Sequence, residues 1–450
     1  MDVKDKSNMK KFIISSLACI IFLLLLSACG NGDPEKETAF DGEATITVQP
    51  VAFLDSYTKT AMDNYSVAHP NVKFEVLEPI DWNTRDMGLS RVYTDITKGK
   101  GPDIVIAERE DLSNLVTKDC LLDISDSLST NTQKVLIKSI LEYGEYNEKN
   151  YLAPGNQNLS MLIISDENVK GDSLTIEDLI SLIENREKEG DPFEWIAITT
   201  GLPCRAASVF DLFTRCIDSS NFIDWENKTC HFDDPLFIKV LEISKRYDCY
   251  ADSHTPDAKN LREGIDLLKQ GKVLAIYGQN PGFIEFSEEQ SLLGPGYSYI
   301  GFPCDNGNGR RVVYATNMAV NKNTEYAEVI KDFIDFYYSL ENCMSNGQEV
   351  RADLYAGRIK YDKYLDAYII KNYRDQGDAV LPVKEDGSDY SEEYFDLLNT
   401  FSATDISRYN KALEIVNILY EEVDSYYAGD KSAEEVAELI QKRVSLLLGE

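Results

Sequence analysis

The sequence predicts an α/β protein in which parallel strands alternate with helices that cover them. Three observations carry this. Ile104 to Ala107 is a short, wholly apolar run rich in β-branched residues, the pattern of a strand buried on both faces. The residues before it alternate period-two and helical spacing in the order β-α-β-α-β, which calls for right-handed crossovers and a parallel sheet. A second unit of the same kind starts near Leu159.

Ile46 and Val48 begin the first strand. Leu54, Tyr57, Ala61, Tyr65 and Ala68 follow helical spacing and stop at His69, because Pro70 disfavours helix in the residue before it. Val72, Phe74 and Val76 alternate with polar residues as a second strand. Leu89, Val92, Tyr93 and Ile96 mark a second helix closed by Gly99, and the central strand follows. Pro102 can precede that strand but not sit inside it. Glu108, Arg109 and Glu110 follow at once, so the buried strand ends by opening onto water. In open parallel sheets, ligands bind at such carboxyl ends. Leu112, Leu115 and Val116 continue as a helix.

In the second unit, Leu159 to Ile164 is a buried run, and Thr175 to Asp178 forms a capping box ahead of a helix. Trp195 to Ile198 is a strand with Thr199, Thr200 and Gly201 at its exit. Ile223 to Phe232 reads as a small hairpin, followed by helices over 235–247 and 257–270. Val273 to Tyr277 is a strand leading to Gly278-Gln279-Asn280-Pro281-Gly282. Tyr297 to Pro303 and Arg311 to Val320 read as a strand pair joined by Asn306-Gly307-Asn308-Gly309. Asn323 is a candidate cap for a helix with a wide apolar stripe from Tyr326 to Tyr337. Residues 345–405 are Tyr-rich, acidic and without clear periodicity. Ser432 to Glu435 caps a last amphipathic helix.

The chain has 450 residues, 43% hydrophobic and 27% charged, as in an ordinary globular protein with room for more than one domain. Its net charge is −32, which argues against nucleic acid or an anionic membrane surface as partner. The first 28 residues differ from the rest. Lys10 and Lys11 precede an apolar stretch from Phe12 to Leu26, shorter than the ~20 residues of a spanning helix and read as a signal segment. Translation from Met9 would leave the same pattern. Leu26-Ser27-Ala28-Cys29-Gly30 resembles the lipobox of bacterial lipoproteins, which implies cleavage before Cys29 and lipid on its thiol; the alternative is an ordinary signal peptide. Asn31 to Gly42 is a polar tether.

Of nine Cys, Cys204, Cys216, Cys230 and Cys249 lie close together in sequence. Outside the cytoplasm disulfides are permitted, with three possible pairings of four. Cys230-His231 lacks the spacing of a zinc site, so no metal and no cofactor is expected. Gly99-Lys100-Gly101 precedes its strand instead of following it, which excludes a phosphate loop. G-x-S-x-G and H-E-x-x-H are absent, and the three His are scattered.

Several pieces together resemble the extracellular solute-binding proteins of ABC importers, family 1, the maltose-binding-like type. These are the lipobox, His69 to Val76, Gly99 to Ile106, Tyr151 to Pro154 with the apolar run after it, Lys269 to Ile276, Phe302-Pro303, Ala327 to Ser339 and Tyr427 to Glu435. Ile163-Ile164-Ser165 stands where that family often has Tyr-Asn, and Phe283 where a Trp is common. The resemblance implies a two-lobed periplasmic-binding-protein-like fold with a hinge and an inter-lobe ligand cleft. Lobe one would comprise 44–158 and 283–321, and lobe two 159–282 and 322–450, after a signal peptide (1–28) and a tether (29–43). Hinges would lie near Gln157 to Ser160, Pro281 to Phe283 and Val320 to Asn323.

It further implies a monomeric, non-enzymatic protein. Anchored by lipid on Cys29 at the extracytoplasmic face of the cell membrane, it would hand a small-molecule solute to permease subunits. A sugar needs flat aromatic faces plus polar side chains at strand exits. Candidate contacts are Phe53 and Asp55 after the first strand, Trp82 after the second, and Glu108, Arg109 and Glu110 after the central one. Gln157 and Asn158 sit at the crossover, Arg205 follows Thr200, Phe283 follows Gly282, and Arg408 and Tyr409 fall on a late helix. Each could instead be core or solvated loop. The carboxylates keep a peptide or a cationic solute as the alternative. A membrane sensor as the recipient and a surface glycosidase remain the other classes.

Overall fold

The computed structural model describes residues 42–449 apart from 156, 170, 172, 200–205, 248–257, 259, 280–281, 308, 315, 347–349, 352, 355–383, 385–387 and 389. Cys29, the signal segment and nearly all of the tether lie outside these residues, as does most of 345–405.

The central strand is where its composition places it. All four side chains of Ile104–Ala107 are buried. Ile104 and Ile106 join Ile46 and Val48 in one core, while Val105 and Ala107 face Leu112 and Leu115 on the other side. Ala44–Pro50 pairs in parallel with both Val72–Val76 and Ile104–Ala107. Asn317–Val320 and Leu152–Pro154 extend this first sheet antiparallel. Helix Ser56–Ala68 starts at Asp55, whose carboxylate accepts from the Thr58 amide at 2.9 Å, and ends before Pro70. Gly99 leaves helix Arg85–Thr97 with φ 73°, a conformation few other residues adopt without strain, and so turns the chain into the central strand.

The second sheet is built on Gln157–Ser165. Val273–Gln279 pairs antiparallel with it and parallel with Trp195–Thr199, which carries Ala206–Ala207 on its far edge. The capping box at Thr175 forms with both reciprocal bonds and opens helix Ile176–Lys188. The hairpin appears as Ile223–Asp224 against Thr229–Cys230.

The structure corrects the strand pair around Asn306. Tyr297–Ile300 and Arg311–Tyr314 do not pair with each other. Both lie antiparallel along Gln157–Ser165, the first against Leu162–Ser165 and the second against Gln157–Ser160. They are two halves of one broken edge, and residues 301–310 are an excursion that leaves and rejoins it. The nine-residue partner strand supplies enough ladder positions to outcompete a local turn. Phe302 donates its amide to the Gly309 carbonyl at 3.0 Å and closes the neck of the loop. At 309 a side chain would overlap the Phe302 carbonyl, and φ is 64°, so glycine is required there by approach and by dihedral. Asn323 is not a cap either: Tyr326 precedes helix Ala327–Tyr337, and the Asn323 amide instead donates to the Ile96 carbonyl at 2.9 Å.

Lobe membership also differs from the sequence division. Tyr297–Ile300 and Arg311–Tyr314 belong to the second sheet, whereas Asn317–Val320 and helix Ala327–Tyr337 belong to the first lobe, where the Tyr65 hydroxyl bonds Asp332 at 2.6 Å. The chain therefore changes sheets between Pro154 and Gln157 and again between Tyr314 and Asn317. It does not do so near Pro281 to Phe283 or Val320 to Asn323, where it continues in the lobe it already occupies. Helix Ile406–Tyr427 touches both lobes. Ile406 packs beneath the first sheet, and Ala412, Ile415, Leu419 and Val423 pack with the final helix Ala433–Gly449 over the second.

Candidate functional site

A cavity of about 380 Å³ lies where the exit of the central strand meets the second sheet and helix Ile406–Tyr427. Arg109 contributes from the first lobe, at the first position of helix Arg109–Thr117. It is 3% exposed, so its charge must be satisfied by the protein. Its guanidinium donates to the Tyr143 carbonyl at 2.8 Å and to the Thr404 carbonyl, and lies 4.4 Å from the Tyr143 ring and 5.2 Å from the Tyr409 ring. Cation–π contacts of this kind are worth ~2 kcal/mol when desolvated. Burial lowers the proton affinity of Arg109, and the nearby phenols and acids oppose that shift. Burial likewise pushes the Tyr409 hydroxyl above the ordinary phenol range, so at neutral pH it is an uncharged ring and hydroxyl.

The opposite wall carries Arg311, which begins the second half of the broken edge strand. It donates to Ser219 Oγ at 2.5 Å and Ser402 Oγ at 3.1 Å, and pairs with Asp218 at 3.4 Å. Burial works against this charge, but Cys216 and Asp218 outweigh it and raise the proton affinity of Arg311. Arg215 lies at the rim, exposed, with its guanidinium 5.3 Å from the Tyr277 ring. Tyr420 completes the wall. Its hydroxyl bonds Asp211 at 2.8 Å, and burial, then that carboxylate, bring it up to about 12. Among the described residues, three arginines and one carboxylate thus line the cavity, opposite in sign to the chain's net charge.

The structure brings Arg109 and Tyr409 together here. It gathers Trp82, Glu108 and Glu110 elsewhere, around Arg85, which binds Asp111 at 2.7 Å, Glu108 at 3.1 Å and Glu110 at 3.9 Å beneath the Trp82 ring at 4.5 Å. Trp82 is 56% exposed and Phe53 48% exposed, and neither lines the cavity. Asp55 is spent on structure. Besides capping its helix, it accepts from Thr316 Oγ1 at 2.9 Å and Thr58 Oγ1 at 2.7 Å. Phe283 is 1% exposed against Phe286 and Tyr394, so it is core and offers no stacking face. Arg408 points to Trp225, 5.7 Å away. The backbone of Gln157 and Asn158 pairs with Val313 and Tyr314; their side chains and Arg205 lie outside the described residues.

Sequence reasoning missed Thr214, Arg215, Asp218, Phe302, Arg311 and Tyr420. One signal was available: Tyr409, Ala412, Leu413, Val416 and Tyr420 fall at helical spacing on one face. Phe302 arrives through the excursion, and Arg215 and Asp218 through the turn after helix Val209–Thr214, which have no periodicity; Thr214 and Arg311 sit at the ends of a short helix and a short strand.

The cysteines sort differently from the four-residue cluster in sequence. Cys216 lies against Cys304, and Cys230 against Gln441 and Ser445. Cys204 and Cys249 lie outside the described residues. Among the described residues, no group of three or more His, Cys, Asp or Glu is placed to hold a metal ion, and no helix is long and apolar enough to cross a membrane.

No family model and no curated protein matches the chain by sequence. Its fold is nonetheless that of two-lobed solute-binding proteins. It is similar to an extracellular solute-binding protein of family 1 from Alicyclobacillus acidocaldarius, at 14% identity and a TM-score of 0.54 over 91% of this chain and 99% of that one. It is similar to a cyclic α-maltosyl-1,6-maltose binding protein from Arthrobacter globiformis, at 12% identity and a TM-score of 0.52 over 90% and 99%. An ABC substrate-binding protein from Listeria monocytogenes, in complex with cycloalternan, aligns at 14% identity and a TM-score of 0.50 over 90% and 99%.

Proposed function

We propose that the chain is an extracytoplasmic solute-binding protein, anchored by lipid on Cys29, that delivers a sugar or oligosaccharide to an ABC importer. The observation that carries this is the cavity between Arg109 of the first lobe and Arg311 of the second, walled by Tyr409 and Tyr420. Its volume falls in the ~300–1,000 Å³ range of small-molecule sites. Tyrosine faces suit the C–H patches of a sugar ring, and arginine N–H groups suit its hydroxyls. A solute touching both lobes would favour the closed arrangement, since only differential affinity shifts a conformational equilibrium. The sugars bound by proteins of the same fold support this solute class.

The lining also weighs on the alternatives. A glycosidase needs two carboxylates flanking the scissile bond, whereas among the described residues the cavity presents Asp218 alone, already paired with Arg311. Three arginines disfavour a polyamine or a basic peptide. A sensor as recipient would use the same cavity.

The test is a thermal-shift screen of the purified chain over neutral sugars, sugar acids, peptides and polyamines, followed by calorimetry. Stabilisation by saccharides is expected, and stabilisation by peptides or polyamines alone would sink the reading. The anchor is tested separately by fatty-acid labelling in cells. Label should appear on the wild type and disappear with Cys29→Ser; label that persists overturns the assignment.

A further inference from the structure

We propose that Cys216 and Cys304 are a modification site, joined by a disulfide that ties the 301–310 excursion to the cavity wall. The two thiols are interacting neighbours that share one core cluster, and both residues are buried. The segments carrying them are already fastened on either side. Cys216 Sγ reaches the Gly309 carbonyl at 3.4 Å and Cys304 Sγ the Ser219 carbonyl at 3.8 Å. The Asn306 amide donates to the Ser219 carbonyl at 3.1 Å, and the Asn221 amide to Asp305 at 3.0 Å. A bond between the sulfurs would therefore form inside a geometry that these four contacts maintain.

The chemistry of the pair is asymmetric. A hydrogen bond from Cys216 acts on Cys304 most strongly, against burial, and the Arg311 charge assists, so that Cys304 is brought down to about 7. Cys216 is raised well above the ordinary thiol range, first by Cys304 and then by burial. The thiolate is the attacking species in disulfide exchange, so Cys304 is the first nucleophile. Its thiolate attacks one sulfur of an external disulfide and releases one thiolate from it. Cys216 then gives up its proton and attacks the mixed disulfide at the Cys304 sulfur, releasing the second. Two protons leave the cysteines and two electrons pass to the oxidant, a disulfide of small-molecule or protein origin. Cys304 lies just before the exposed tip Asn306-Gly307, so opening of that tip gives the oxidant access.

The consequence reaches the solute site. Asp218 and Ser219, two and three residues after Cys216, hold Arg311, and the crosslink would pin this wall. The proposal does not rest on the identity of the solute.

The experiment uses the full chain, purified in detergent under reducing conditions and then equilibrated with glutathione disulfide. Peptide mapping should show the Cys216 and Cys304 peptides linked, with two thiols lost together and a thermal midpoint about 5 °C higher. Cys216→Ser and Cys304→Ser should each abolish that gain. Both thiols remaining open to alkylation after oxidation, or either one linked to a different cysteine, overturns the proposal. The wild-type peptide map decides even if a variant fails to fold.

Discussion

Gly155 donates its amide to the Thr316 carbonyl at 2.8 Å, and this bond joins the two places where the chain passes between its sheets. The pair sits in a small polar network. Thr316 Oγ1 bonds Asp55, which also receives Thr58, and the Tyr338 hydroxyl bonds the Pro154 carbonyl at 2.6 Å. The crossings are thus packed and hydrogen-bonded on the first-lobe side.

A β-carbon at Gly155 would stand 2.7 Å from Thr316 Oγ1 and 3.1 Å from the Tyr337 hydroxyl. Gly155→Ala must push Thr316 off Asp55. Overpacking of this kind costs ~1–3 kcal/mol, and urea denaturation should show it as a lower midpoint at an unchanged slope. Wild-type stability in the variant would mean that the crossing is looser than its contacts indicate. With the correct solute, small-angle scattering should show a smaller radius of gyration, and an unchanged radius at saturation would count against a closing cleft.

Phe283 and Tyr409 give opposite readouts. Phe283→Ala removes a buried ring beside Phe286 and Tyr394, so it should cost about 3–5 kcal/mol of stability. Its effect on the affinity of the folded fraction should be small. Tyr409→Ala removes a cavity wall and one of the two rings flanking Arg109. Its affinity for the best screened solute should fall about tenfold, as expected for an aromatic platform worth ~0.5–1.5 kcal/mol beyond its area. Calorimetry beside thermal denaturation separates the two, and a reversed pattern would relocate the site.

The contrast between those residues shows what was readable in advance. The order of elements was legible wherever period and punctuation agreed, as in Ile104–Ala107 or the Thr175 capping box. A local pattern does not reveal which strand a segment will choose. Asn306 to Gly309 has the composition of a hairpin turn, yet its flanks pair with Gln157–Ser165. The lobe boundaries were displaced for that reason. At the site, Arg109 and Tyr409 were legible because a strand exit and a helix start are fixed by local structure. Asp55 looked equally available, and only the approach of Thr58 and Thr316 shows that its oxygens are occupied.

Asp111 should leave a signature in the pH dependence of stability. Burial raises its carboxyl to about 6, with the Arg85 bond opposing the shift. The folded chain therefore holds this proton more tightly than the unfolded chain does. The group's contribution is fully present below about pH 4, the unfolded carboxyl range, and is lost as the pH rises through 6. Asp111→Asn keeps an acceptor for Arg85 but cannot ionise. The difference in thermal midpoint, variant minus wild type, should grow between pH 4 and pH 7. A constant or shrinking difference would show that the Arg85 pair, and not burial, dominates there.

The last prediction concerns the charge of the solute. Arg109 is enclosed by carbonyls and rings, and Arg311 is matched by Asp218, so their charges are largely committed to the wall. Arg215 differs. It is exposed at the rim and, among the described residues, has no carboxylate within ion-pair distance; it lies instead over Tyr277. A carboxylate-bearing sugar entering the cavity would meet this charge first. One unit pair at 4 Å in water-like surroundings is worth about 1 kcal/mol, so reversing the sign changes the balance by roughly twice that. Arg215→Glu should therefore weaken a uronic-acid oligosaccharide roughly tenfold or more relative to its neutral counterpart, with little loss of stability at an exposed position. Salt should blunt the effect, because the site is near the surface. Competition calorimetry with the matched pair of oligosaccharides, at low and physiological ionic strength, measures the ratio. If both sugars bind the variant as they bind wild type, Arg215 does not face the solute, and the charge preference of the cavity must come from its deeper wall.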